Sequence, residues 1–141
     1  MGQISKVGVV GLGTMGAGIA EVLARAGVDV IGVEVTEESL AGGRARMESS
    51  MARAVERGKL TGEDVAAAFA RVRFTTDIED LADRELVIES VTEDREIKTA
   101  VMVALDALLD PSAIIATNTS SLSVTELSVA TGRSDRVLGM H

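Results

Sequence analysis

At 141 residues the chain is long enough for one domain with a sizeable core, and it carries no cysteine, which excludes disulfides, thiol nucleophiles and cysteine-built zinc sites. A formal charge of −8 argues against nucleic acid as a partner, because phosphate backbones call for a basic face. No apolar stretch approaches the roughly 20 residues of a bilayer span and nothing at the start reads as a signal peptide, so a cytoplasmic protein with no membrane partner is expected.

Residues Ile4–Val10 read as a buried strand, β-branched and nearly uncharged, that runs into glycines. Met15–Ala26 reads as a helix with Ile19, Val22, Leu23 and Ala26 on one face and Gly27 at its end. Val28–Glu34 is a second apolar strand ending in an acid. Thr36 then offers an N-cap, with Glu37 and Glu38 in the first turn to complement the helix dipole. The helix from about Glu37 to Arg57 is interrupted in pattern by Gly42-Gly43. The run Thr61-Gly62-Glu63-Asp64 is a capping box that opens an alanine-rich helix to about Ala70. Residues 35–70 therefore predict a helical hairpin, long enough to suggest an arm leaving the sheet.

Val72–Thr75 predicts a short strand, Thr76-Asp77-Ile78-Glu79 a short capped helix, and Leu86–Ser90 a further buried strand. Asp94–Leu109 is the clearest amphipathic helix, with Ile97, Val101, Ala104, Leu105 and Leu108 placed inward and Asp110-Pro111 as its stop. Ala113–Thr117 is a strand, Ser123-Val124-Thr125-Glu126 caps another helix, and Arg136–Met140 is a strand that ends at His141. Strands alternating with helices predict a parallel, doubly wound α/β sheet. Ligands of such sheets sit beyond the carboxyl ends of the strands, where Glu34, Thr92-Glu93, Asn118-Ser120 and His141 all fall.

The loop Gly11-Leu12-Gly13-Thr14-Met15-Gly16 has the dinucleotide spacing G-x-G-x-x-G between a strand and a helix. Gly11 permits the turn, Gly13 lets the backbone approach a pyrophosphate, and Gly16 allows close helix–strand packing; the amides around Thr14 and Met15 supply positive potential. Glu34 lies 18 residues after Gly16 and would accept hydrogen bonds from the adenosine ribose. No Arg or Lys follows in residues 35–43 to bind a 2′-phosphate, so NAD is expected over NADP. Asn118, Ser120 and His141 offer an amide, a hydroxyl and an imidazole, and His141 is the only histidine, a general-base candidate near neutral pH. No metal-ligand spacing and no nucleophile elbow occurs. Residues 44–73 carry seven basic against four acidic residues, a net +3 that leaves −11 on the remainder. That segment is either a pair of solvated helix faces or a landing site for an anionic ligand.

The segments Gly11–Ala20, Val87–Asp94, Asn118–Leu122 and Asp135–His141, in that order and with 21 residues from Ser120 to His141, resemble the 3-hydroxyacyl-CoA dehydrogenase family. The likeness is greatest to stand-alone bacterial members that act on the four-carbon 3-hydroxybutyryl thioester. The resemblance implies a Rossmann-type NAD-binding domain and oxidation of an L-3-hydroxyacyl-CoA to the 3-ketoacyl-CoA, a step of fatty-acid or butanoate metabolism. His141 would be the general base, Ser120 would hydrogen-bond the reacting oxygen, and Asn118 would position substrate and nicotinamide. Glu93 and Lys98, five residues apart, would contact the cofactor on its nicotinamide side. The hairpin over about 37–70 corresponds to a projecting arm beside the CoA, with Ser50 and Arg57 at CoA-contact positions; a Lys is frequent where Arg57 stands. The family continues past the histidine with an aromatic-rich run, a Glu that pairs with the imidazole and a helical domain that forms a homodimer. Residues 1–141 are therefore expected to be the NAD-binding portion, incomplete at the C-terminal end, able to bind cofactor and catalytically incomplete. Two other readings stay open: a non-catalytic dinucleotide-binding module, and an enzyme of the 3-hydroxyisobutyrate or 6-phosphogluconate dehydrogenase type.

Overall fold

The computed structural model describes residues 2–141. Strand β1 (Lys6–Val10) is apolar after its first residue and is buried on both faces, as the centre of a covered parallel sheet must be. It pairs with β2 (Asp29–Val33) on one side and β4 (Leu86–Glu89) on the other. Outside β2 lies β3 (Val72–Thr75), and beyond β4 lie β5 (Ile114–Thr117) and β6 (Val137–Gly139). The order β3-β2-β1-β4-β5-β6 is wholly parallel among the described residues and reverses direction of winding at β1. That reversal opens a crevice above the carboxyl ends of β1 and β4. The expected doubly wound sheet is thus present, with β3 at the expected bounds and the other strands one or two residues shorter.

The two faces are covered by different sets of helices. On one, α4 (Arg95–Leu108) and α5 (Val124–Val129) cover Val10, Val33, Val87 and Ile115. On the other, α1 (Thr14–Arg25) lies over the sheet, and α2 (Glu37–Glu56) and α3 (Gly62–Ala70) pack onto α1. The Thr36 cap and the Thr61–Asp64 capping box are both formed.

The helical hairpin expected after the second strand is present, and its inner side lies against α1: Met47, Met51 and Ala68 are buried in one cluster with Leu12, Ala17, Ala20 and Ala24. It is a two-helix crossover that returns the chain to β3. Gly42-Gly43, which looked like a flaw in α2, allows the approach, since a Cβ on Gly43 would overlap Leu12 Cβ and stand 3.1 Å from its Cδ1. The buried face of α1 is Ala17, Ala20 and Ala24 rather than the Val22 stripe; Val22 is exposed, because a helix pressed between a sheet and a second helix layer needs small residues at its contacts. In α4 the inward set is Lys98, Met102 and Leu105, followed by Leu109, while Ile97 and Ala104 face solvent. The helix is turned by a buried ion pair of Lys98 with Glu89.

The end of α4 is closed from across the fold. Arg133, nearly buried, donates to Asp106 Oδ1 at 2.6 Å and to the carbonyls of Asp106, Leu109, Asp110 and Ala113. The carbonyls of Asp106 and Leu109 are ones that the helix terminus leaves without an intrahelical partner, and those of Asp110 and Ala113 belong to the turn that leads into β5. Nothing in the sequence pattern pointed to this residue.

Candidate functional site

The glycine loop carries three different constraints. Gly11 has φ +93° and donates to Val33 O at 2.9 Å; a Cβ there would sit 2.5 Å from Ser90 O. A Cβ on Gly16 would overlap the Gly11 carbonyl oxygen and stand 2.8 Å from its carbon. Gly13 differs: a Cβ on it would meet nothing within 4 Å. Gly13 is the N-cap of α1, no side chain caps that end, and the first turn has no acid. The first amides of a 12-residue helix are thus left for an anion in the space that Gly13 keeps clear.

Glu34 follows β2 and turns back to the loop. Its Oε2 accepts from Leu12 N at 2.8 Å, which fixes the carboxylate at the rim of the crevice. Leu12 itself is fully buried, so it serves the site through its backbone rather than its side chain. Arg46 of α2 donates from Nη1 to Leu12 O at 3.1 Å, so both backbone groups of Leu12 are held by side chains.

A cavity of about 440 Å³ brings Gly11, Gly13, Thr14, Met15, Gly16 and Glu34 together with Ser90, Thr92, Glu93, Asn118, Ser120 and His141. Residues from five strand ends, those of β1, β2, β4, β5 and β6, so share one space. Glu93 organises its far side. Its carboxylate accepts from the Thr119 hydroxyl, from Ser120 N at 3.0 Å and from Ser120 Oγ at 3.0 Å. The Thr119 hydroxyl, then the Ser120 amide and hydroxyl and the Lys98 charge, bring the Glu93 carboxyl down to about 2. The only proton of Ser120 is committed to Glu93, so the hydroxyl presents lone pairs to the cavity.

Asn118 donates from Nδ2 to Ser90 Oγ at 3.0 Å, and its N–H donates to Glu89 O at 2.8 Å. Its Oδ1 is buried and has no partner among the described residues. An orphaned acceptor beside a glycine cradle and an oriented carboxylate is the complement of a dinucleotide that ends in a carboxamide, so the residues present fit NAD. His141 lines the cavity from an exposed position after β6, with no hydrogen-bond partner among the described residues.

Two expected site residues stand elsewhere. Lys98 does not line the cavity; it is fully buried, donating to Glu89 Oε2 at 2.7 Å and Val91 O at 3.1 Å. Arg57 is the exposed C-cap of α2 and lines no wall. A second cavity of about 500 Å³ runs between α1 and α2 and contains Ser50, with Ser49, Arg46 and Arg53. One helical turn before Arg57, Arg53 faces this groove together with Arg46, whose guanidinium is partly engaged by Leu12 O. Of the other basic residues of 44–73, Arg44 pairs with Glu48 and lies over the rings of Phe69 and Phe74, Arg71 donates to Ala24 O, and Arg73 pairs with Asp80. Much of the segment's charge is therefore structural. Sequence reading missed Ser90 and Arg53 as wall residues, and it missed Glu89, although a lone acid closing the apolar run Leu86-Val87-Ile88 was a visible signal.

Among the described residues no helix is long and apolar enough to cross a membrane. The 3-hydroxybutyryl-CoA dehydrogenase of Mycobacterium tuberculosis is 48% identical over 139 residues, 98% of this chain and 49% of that protein. That of Bradyrhizobium diazoefficiens is 43% identical over 138 residues, 98% of this chain and 47% of its own length. The crystal structure of FadB2 from M. tuberculosis superposes with a TM-score of 0.97 at 47% identity, covering 99% of this chain and 50% of the other. That of (S)-3-hydroxybutyryl-CoA dehydrogenase PaaH1 from Ralstonia eutropha gives 0.96 at 40% identity, covering 99% and 49%. The chain thus spans about half the length of the relatives it matches. Residues 6–141 match the family described as 3-hydroxyacyl-CoA dehydrogenase, NAD binding domain, and the chain belongs to that family.

Proposed function

We propose that this chain is the cofactor-carrying half of an NAD-dependent L-3-hydroxyacyl-CoA dehydrogenase with 3-hydroxybutyryl-CoA as its substrate. The observation that carries the reading is the convergence of the glycine loop, Glu34, Asn118, Ser120 and His141 on one cavity. The adenosine ribose belongs at Glu34, the pyrophosphate over Gly13 and the α1 amides, and the carboxamide end near Asn118 Oδ1 and Glu93. When bound, NAD supplies the acceptor for the hydride that leaves substrate C3. The neutral imidazole of His141 takes the proton of the 3-hydroxyl, so the alcohol becomes a ketone with both hydrogens accounted for. The one hydrogen of the 3-hydroxyl points to His141, so Ser120 holds the reacting oxygen only as a donor, which requires its own hydroxyl proton to turn from Glu93 to the substrate. The CoA would lie along the α1–α2 groove, where Arg53 and Ser50 face an anionic chain.

His141 and Ser120 are exposed on the cavity rim. The resemblance implies that a carboxylate for the imidazole and a second substrate wall come from a helical domain that also makes a homodimer. A protein of these 141 residues then binds dinucleotide with little hydride transfer. A cytoplasmic setting fits the cysteine-free composition. Calorimetric titration with NADH and NADPH, with acetoacetyl-CoA reduction followed at the NADH absorbance, tests the proposal. Preference for NADH by tenfold or more with slow turnover is expected. Equal affinity for NADPH would overturn the cofactor assignment, and brisk turnover by the 141 residues would overturn the incompleteness.

A further inference from the structure

Glu89 and Lys98 form a fully buried ion pair, and neither is among the residues that line the crevice. Glu89 is the last residue of β4; its Oε1 accepts from Thr117 Oγ1 at 2.5 Å, at the end of β5. Its Oε2 accepts from Lys98 Nζ at 2.7 Å and from Val91 N at 2.8 Å. Lys98 Nζ also donates to Val91 O at 3.1 Å and stands 4.0 Å from Glu93 Oε1. The residue Val91 is thus held at its N–H by the anion and at its C=O by the cation.

A buried ion pair is a poor way to gain stability, since apolar residues of the same volume commonly do as well or better. What the pair accomplishes is geometric. Its partners are the backbone of the 90–93 segment and a hydroxyl at the next strand end, all at the carboxyl edge of the sheet. Ser90 of that segment abuts Gly11 and Gly16 and receives Asn118 Nδ2, while Glu93 holds Ser120 by two hydrogen bonds. We infer that Glu89, Lys98 and Thr117 are positioning residues that set the nicotinamide-side wall of the cavity against the glycine loop, and that Lys98 acts on the cofactor only through Val91 and Glu93. This inference rests on the dinucleotide reading above.

The two halves of the ligand separate the possibilities. ADP-ribose uses Glu34 and the glycine loop, whereas NAD also uses the wall that the buried pair positions. Calorimetric titration of the unsubstituted chain, Lys98→Met and Thr117→Val with both ligands is the test. In Lys98→Met the NAD affinity should fall by about tenfold or more, the usual effect of losing a buried charge-assisted hydrogen bond, while ADP-ribose binding stays within about twofold. Thr117→Val removes a hydroxyl without stranding a charge, and should shift NAD binding in the same direction by a smaller factor. Equal weakening of both ligands, unchanged binding of both, or failure of both variants to fold would reduce the network to fold stability and overturn the inference. An unsubstituted chain that binds neither ligand would overturn the dinucleotide reading, and this inference with it.

Discussion

Gly13→Ala and Gly16→Ala add the same methyl group three residues apart and should do opposite things. At Gly16 the new Cβ would overlap the Gly11 carbonyl oxygen and lie 2.8 Å from its carbon, so backbone must move. Forcing a group into filled space costs about 1–3 kcal/mol, a fall in melting temperature of at least about 4 °C in a domain of this size. At Gly13 the Cβ meets no protein atom within 4 Å, and its extended backbone suits alanine. The gain of about 0.4–1 kcal/mol from a less flexible unfolded chain roughly offsets the poorer N-cap that alanine makes. Gly13→Ala should therefore melt within about 4 °C of the unsubstituted chain, yet its methyl group occupies the space kept for the pyrophosphate. Dinucleotide affinity should drop at least about tenfold, equivalent to 1.4 kcal/mol. Differential scanning calorimetry and NADH titration on both variants read the two effects separately. Affinity within twofold of the parent for Gly13→Ala would refute the claim that this glycine exists for the ligand.

The remaining predictions concern the rest of the crevice and its supports. Glu34→Gln keeps an acceptor near Leu12 N but loses the charge, so NAD should bind about tenfold more weakly and the NAD-to-NADP ratio should narrow; an unchanged ratio in a paired titration would contradict the ribose assignment. Glu93, held down to about 2 chiefly by the Thr119 hydroxyl, gives stability that is present above the ordinary Glu value of 4.5 and lost as pH falls from there through about 2. Thr119→Val should raise the Glu93 carboxyl toward 4.5 in an NMR titration and narrow that window. Arg133→Met strands the acceptors at the end of α4 and should cost about 3–5 kcal/mol in urea denaturation; a loss under 1 kcal/mol would show that water replaces the guanidinium. Arg53→Glu should weaken CoA binding severalfold at low salt while Arg57→Glu changes it less, because Arg53, unlike Arg57, faces the α1–α2 groove.

The strand-to-helix alternation, the glycine fingerprint and the acid at the end of β2 were legible because each is a local rule. A parallel strand buried on both faces must read as a short apolar run, a capping residue must precede its helix, and a pyrophosphate loop must carry glycine at fixed spacing. From those rules alone the doubly wound sheet follows, and with it the place of Glu34, Asn118, Ser120 and His141 at strand ends. Helical periodicity told which residues share a stripe but not which stripe turns inward. Val22 and Ile97 looked buried and are exposed, because close contact favoured alanines in α1 and an ion pair turned α4. Charge counts told that 44–73 is basic but not which cations remain free, since Arg46 binds Leu12 O and Arg71 binds Ala24 O. Lys98 is the sharpest case: the family resemblance implied a cofactor contact, and the fold places it behind the wall. Sequence by itself determined the elements and the loop that meets the phosphates, since short-range sterics and burial fix both. Only the tertiary structure decided which polar side chains face the ligand and which brace the wall, since that depends on partners dozens of residues away.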